Sequence, residues 1–202
     1  MLNQKKILVI IPAKGNSSRL KNKNILEING LPLVIRAAKE VLKSRYVDTV
    51  FVSTESQKIK NICQKYNVDY INRPKKLSGS KTEKQEVIVH VTKHFKKNYY
   101  KPDIIISLQC NSPEFNFRDL DKALVFFEKK LHPDASIKEV ISINKDYIQN
   151  AAFRILTYDA VFQKTLSTKL GVVITNYSDI HTYKQFLKSK RYLEQNKKNK
   201  FH

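Results

Sequence analysis

The chain has 202 residues, 41% of them hydrophobic and 28% charged, which is enough for one sizeable core and short for two ordinary domains. No apolar run approaches the ~18 residues of a membrane span, and the opening MLNQKKILVIIPAKG lacks the apolar stretch and small-residue cleavage site of a signal peptide, so a soluble cytoplasmic protein is expected. The net charge of +20 arises from 38 basic against 18 acidic residues, yet 31 of the basic residues are Lys and only 7 are Arg, spread along the whole chain, so a nucleic-acid partner is not expected.

From Lys6 the chain enters a continuous apolar run, Ile7 to Ile11, ending at Pro12, the pattern of a strand buried on both faces of a parallel sheet. Residues 13–24 are polar and turn-prone, and residues 33–42 then carry apolar side chains at helical spacing. Strand character returns at 47–53, followed by a helix at 57–66, a short strand at 68–71, a helix at 82–95 and a strand at 103–108. A helix at 118–131 and a strand at 138–143 continue the alternation. Beyond Asn144 the pattern gives a strand at 153–157, a short helix at 159–164, a strand at 171–175 and a last helix at 182–194. Strands alternating with helices of this length predict a single-domain, Rossmann-like three-layer α/β sandwich with a mostly parallel sheet over residues 1–195, and residues 196–202 form a basic tail.

In open sheets of this kind ligands bind beyond the carboxyl ends of the strands. The segments there are all polar: Lys14 to Asn24, Thr54-Glu55, Arg73, Gln109 to Ser112, and Asp179 to Thr182. The first, IPAKGNSSRLKNKN, contains neither GxxxxGK[ST] nor GxGxxG, so it is not a P-loop or a dinucleotide fingerprint. It does combine Gly15 and Asn16, which leave backbone N–H groups free, with the cations Lys14, Arg19 and Lys23, and such a loop can wrap a polyphosphate. A solvated basic loop would show the same charge pattern.

The residues themselves carry a resemblance. Ile11-Pro12-Ala13-Lys14-Gly15-Asn16-Ser17-Ser18-Arg19, followed by Lys23-Asn24, resembles the IPARxxSxR…KN signature that opens the acylneuraminate and KDO cytidylyltransferase family. Val52-Ser53-Thr54-Glu55 resembles its VSTD, Arg73-Pro74 with Leu77 its RPxxLA, Leu108-Gln109-Cys110-Asn111-Ser112-Pro113 its LQPTSP, and Asp179-Ile180-His181-Thr182 its DIDT. The five motifs fall in the family's order across residues 7–187.

The resemblance implies a nucleotidyltransferase that joins CTP to an acidic sugar, uses Mg²⁺ and releases pyrophosphate. On that reading Lys14, Ser17, Arg19 and Lys23 hold the triphosphate, with Ala13, Gly15 and Asn16 shaping the loop, and Asn24 and Arg73 face the ribose or base. Gln109, Asn111 and Ser112 lie toward the acceptor, and Asp179 binds the metal. His181 is open between metal ligand, general base and structural residue. The family's frequent homodimerisation is a further implication.

Several positions depart from the family pattern. Lys14 replaces an Arg, keeping the charge without the bidentate fork. His181 replaces an Asp, and magnesium prefers oxygen ligands. Ser80-Lys81 stand where an Asp is common, Glu114-Phe115 where an Arg is, and Asn150-Ala151-Ala152 is the nearest counterpart of RPNGA. The chain is also short between Ser142 and Asp159, where the family inserts an arm. The losses fall on the acceptor and metal sides, so a nucleotide-binding relative with an altered acceptor or without catalysis is the alternative. Among the remaining candidates, His90 and His94 stand four apart on a helix but lack a third ligand at a matching spacing, and His132 has no partner in sequence. Cys63 and Cys110 read as two buried thiols.

Overall fold

Ile7 through Ile11 are wholly inaccessible, because β1 (Ile7–Pro12) lies in the middle of the sheet with helices over both faces. The computed structural model describes every residue except Met1, Asn3, Ser18, Ser80, residues 131–136, Leu166 and residues 199–202. After β1 come β2 (Glu27–Ile28), β3 (Leu31–Pro32), α1 (Leu33–Val41), β4 (Thr49–Thr54), α2 (Gln57–Lys65) and β5 (Tyr70–Asn72). The chain continues through α3 (Lys84–Asn98), β6 (Ile104–Leu108), α4 (Phe117–Lys129), β7 (Glu139–Ile143), β8 (Gln149–Thr157), β9 (Leu170–Ile174) and α5 (Tyr183–Lys198).

Among the described residues a seven-stranded sheet forms in the order β5-β4-β1-β6-β8-β7-β9. β5, β4, β1 and β6 are parallel, β8 is antiparallel to both its neighbours, and β7 and β9 are again parallel. The carboxyl ends of β1, β4, β5, β6, β7 and β9 therefore meet at one edge.

Successive β1 side chains alternate between the faces. Ile7, Val9 and Ile11 join a core with α1, α2, α4 and α5, whereas Leu8 and Ile10 join Ile88, Val91 and Phe95 of α3 on the other face. α1 forms because Leu33, Val34, Ala37, Ala38 and Val41 place one apolar stripe against that first face. Burial of each of Leu33, Val34 and Val41 stabilises the fold by about 1.5–3 kcal/mol before cavity effects.

The mostly parallel three-layer sandwich matches the sequence expectation, and the differences are local. Residues 153–157 are strand, but β8 starts at Gln149 and runs against the sheet, since an apolar run carries no information on direction. The expected helix at 159–164 is a single 3-10 turn, Asp159–Phe162. β2 and β3 form a hairpin that was not expected, closed by Asn29 (φ 52°) and Gly30 (φ 75°), the left-handed pair a two-residue turn requires. α5 continues four residues past Glu194 into the segment read as a tail. The expected end of the helix at Leu131 lies outside the described residues. No described helix is long and apolar enough to cross a membrane.

Candidate functional site

The carboxyl edge of the sheet opens into a cleft of about 330 Å³. Lys14, Ser17, Arg19, Lys23 and Asn24 reach it from the loop after β1, Arg73 from the end of β5, Gln109 and Asn111 from the end of β6, and His181 from the segment after β9. Segments distant in sequence are thus gathered by the topology alone.

The loop is pinned at both ends. The Ala13 N–H donates to the Ser53 carbonyl at 2.9 Å, which prolongs the β1–β4 ladder and buries Ala13 completely. The Asn24 amide donates to the Lys14 carbonyl at 2.8 Å, and its oxygen accepts from the Cys110 thiol at 3.1 Å. Asn24 borders the cleft, but both ends of its amide hold the loop to itself and to β6. Asn22 turns the chain at φ 56° just before it. The Lys23 ammonium donates to the Ile180 carbonyl at 3.0 Å. Burial lowers its pKa from the ordinary lysine value, with Cys110 and Asp179 opposing the shift and Arg19 and Lys14 adding to it.

Gly15 corrects one expectation. Its N–H is not free for a ligand, since it donates to Glu55 Oε1 at 2.7 Å. A Cβ at Gly15 would stand 2.8 Å from Ser56 Cβ, so the glycine is there for a close approach to the start of α2. Asn16 is exposed at the loop, and Ser18 lies outside the described residues.

Arg73 is buried yet borders the cleft. Its guanidinium donates to the Ser53 carbonyl at 2.9 Å and pairs with Glu55 Oε2 at 3.3 Å. Burial pulls the Arg73 pKa down and Glu55 opposes that shift.

On the far wall the segment after β9 is zipped to the end of β6. The Ile180 N–H donates to the Asn111 carbonyl at 2.9 Å, and Ile180 is wholly buried. The Asn111 amide donates to Asp179 Oδ1. His181 Nε2 and Asp179 Oδ2 are 2.7 Å apart, so imidazole and carboxylate are in hydrogen-bond contact and do not flank a cation. Among the described residues no three His, Cys, Asp or Glu side chains converge on a metal position. One carboxylate fits a magnesium ion that arrives on phosphate oxygens, because magnesium is commonly held by one or two carboxylates plus phosphates and water. Ser112 points away from the cleft, into a small cavity beside Leu33, Arg36 and Phe115. Asn150 is also remote: its amide donates to the Thr175 carbonyl at 3.1 Å and hydroxyl at 2.7 Å, stapling β8 to the chain after β9.

Sequence reasoning missed the wall supplied by the β5–α3 connection. Leu77, Gly79, Thr82 and Lys84 all border the cleft. Lys84 is the first residue of α3, where the helix dipole disfavours a cation. Desolvation lowers its pKa, Asp179 opposes the shift, and Lys23 and Arg19 add to it. A lysine opening a helix was the available signal, and its adverse position makes a structural reason for it weaker. Lys81 sits nearby, but its neighbour Ser80 lies outside the described residues, as does His132.

The other described histidines, His90 and His94, and Cys63 have structural surroundings, whereas Cys110 borders the cleft. The His90 and His94 rings stack at 6.5 Å, and burial lowers the His90 pKa. Cys63 and Cys110 are free and buried as expected, and burial pushes each thiol up to about 11.

Residues 8–198 match the family model described as cytidylyltransferase. The chain is 30% identical over 145 residues to a 3-deoxy-manno-octulosonate cytidylyltransferase of Chlorobium phaeobacteroides, covering 71% of this chain and 55% of that protein. It is 34% identical over 114 residues to an N-acylneuraminate cytidylyltransferase of Escherichia coli, covering 56% of this chain and 26% of that protein. The chain thus spans about half the length, or less, of these curated relatives. A solved CMP:2-keto-3-deoxy-manno-octonic acid synthetase complexed with CTP shares the fold, with a TM-score of 0.75 at 15% identity over 95% of this chain and 99% of that one.

Proposed function

Because the chain belongs to the cytidylyltransferase family, we propose that it transfers the cytidylyl group of CTP to an acidic sugar of the nonulosonic or KDO kind, in the cytoplasm, and releases pyrophosphate. The CMP-linked product is an activated donor suited to building cell-surface polysaccharide. The observation that carries the reading is the convergence of Lys14, Ser17, Arg19 and Lys23 with His181, which Asp179 backs at 2.7 Å, around one cleft at the carboxyl edge of the sheet.

In this reaction the acceptor hydroxyl oxygen attacks the α-phosphorus in line. The bond to the β-phosphate oxygen breaks, and the hydroxyl proton leaves. Lys14, Arg19 and Lys23 stabilise the charge that grows on the leaving pyrophosphate, and they act most strongly where the cleft excludes water. Arg73 and its wall take the nucleoside end. With Nε2 engaged to Asp179, His181 has Nδ1 left to take the acceptor proton. Magnesium bound by Asp179 and the triphosphate oxygens would supply further charge neutralisation at the reacting phosphate.

Pyrophosphate release from CTP and Mg²⁺ in the presence of KDO or N-acetylneuraminate tests the proposal, with the CMP-linked sugar identified by mass. Release that depends on the acid supports it. CTP binding with no release for either acid would instead favour a non-catalytic nucleotide-binding relative, and oligonucleotide binding without CTP binding would favour a nucleic-acid partner.

A further inference from the structure

Glu55 occupies the junction of three segments that border or support the cleft. It comes directly after Thr54, the last residue of β4. Oε1 accepts from the Gly15 N–H at 2.7 Å, which anchors the loop after β1. Oε2 accepts from the Ser78 hydroxyl at 3.1 Å, which anchors the connection leading into α3. The same oxygen lies 3.3 Å from the Arg73 guanidinium, whose side chain is 4% exposed. A buried cation of this kind needs a counter-charge, and in the described structure Glu55 supplies it.

We infer that Glu55 is a positioning residue that couples the grip of the phosphate loop to the grip of the Arg73 wall. This rests on the proposed use of the cleft for CTP, whose triphosphate and nucleoside would contact those two elements. The two oxygens of one carboxylate are shared between the elements, so neither can move without disturbing the other's anchor. Gly15 strengthens the link, because its tight approach to Ser56 leaves the loop little room to settle elsewhere. A ligand that orders Arg73 therefore orders Glu55, and the loop is pre-organised before phosphate arrives. By linkage, phosphate does the same for the nucleoside.

The test uses the two halves of CTP as separate probes. In the unaltered protein, saturating cytidine should tighten pyrophosphate binding at least about fivefold, and pyrophosphate should tighten cytidine by the same factor. In Glu55→Ala each probe should still bind alone while the mutual tightening disappears. Glu55→Gln keeps an acceptor for Gly15 but removes the charge facing Arg73, and it should show a reduced factor. A role confined to general stability would weaken both probes and leave the factor unchanged, which overturns the inference. Equal factors in all three proteins, or no tightening in the unaltered one, overturn it too. Should the variants not fold, the Gly15 amide resonance of the unaltered protein decides: a shift on adding cytidine supports the coupling and an unmoved resonance refutes it. Failure of the unaltered protein to bind CTP, cytidine or pyrophosphate sinks the CTP reading itself, and the coupling with it. Normal CTP binding with unlinked halves sinks only the coupling.

Discussion

The Lys23 ammonium donates to the Ile180 carbonyl at 3.0 Å, so the first loop of the chain is fastened to the segment that carries Asp179 and His181. Lys23 therefore ties two segments that border the cleft to each other as well as offering charge. Arg19 is exposed and offers charge alone.

Arg19→Ala and Lys23→Ala should each weaken CTP binding by about 1–3 kcal/mol, the range for charge-assisted hydrogen bonds. Only Lys23→Ala should also lower the melting temperature. Calorimetry and thermal unfolding on both variants separate the roles. Unchanged CTP affinity in both would remove the loop from the phosphate site.

The lowered pKa values of Lys23 and Lys84, caused first by burial, predict opposite pH effects on binding and on stability. Bound triphosphate favours the charged ammonium, so CTP binding takes up protons and loses affinity as the pH rises through the lowered values. Over the same window, up to the ordinary lysine value, the unfolded chain holds more protons than the folded one, and the stability of the ligand-free protein rises with pH. Calorimetry in alkaline buffers of differing ionisation enthalpy reads the proton uptake. Its absence would show that neither lysine meets the ligand.

Lys84→Gln should separate function from stability. Removing a cation from the first turn of α3 is expected to raise stability by about 0.3–1 kcal/mol. It should also weaken CTP binding by on the order of 1 kcal/mol. A variant that gains stability with no loss of affinity would make Lys84 a bystander of the cleft.

Asp179→Ala should abolish pyrophosphate release while leaving most CTP affinity, which resides in the loop. His181→Asp should retain or raise Mg²⁺-dependent release, since the new carboxylate can take the acceptor proton in place of the imidazole and also offers a second oxygen ligand. Release by Asp179→Ala equal to the parent's, at saturating CTP and Mg²⁺, would exclude Asp179 from the metal.

Gly15→Ala is expected to cost about 1–3 kcal/mol through crowding against Ser56. Ser56→Gly in the same chain should recover much of it, because the contact removed is the one created. A loss that persists in the double variant would locate the strain elsewhere.

The carboxyl-edge cleft is legible in the sequence because the strand-end rule needs only the order of strands and the polarity of the segments after them. Ile7 to Ile11 announce a central strand, and the polar segments beyond the strands name Lys14, Arg19, Lys23, Arg73, Asn111 and His181, all of which border the cleft. The same rule groups Ser112 with Asn111, but the chain turns at Cys110 and Asn111 just past β6, and Ser112 lies with Leu33, Arg36 and Phe115 instead. Asn29-Gly30 carries a hairpin signal, yet strands as short as β2 and β3 give no apolar alternation to flag it. Glu55 stands out in sequence only as part of a motif, because its partners Gly15, Arg73 and Ser78 come together through the fold. The direction of β8 has no local signal: its place between β6 and β7 depends on where the chain has room to insert.

The central place of β1 also orders events in time. Ile7 pairs with Ile104 on one side, and Leu8 with Thr49 on the other. During synthesis β1 is made about a hundred residues before β6, its second neighbour. Until then β1 is an uncovered strand with a free edge, the kind of segment that pairs with other chains. Folding that waits on so distant a contact is slow compared with local helix formation. Recovery of soluble protein should therefore depend on slow synthesis or chaperone supply more than on the stability of the finished fold.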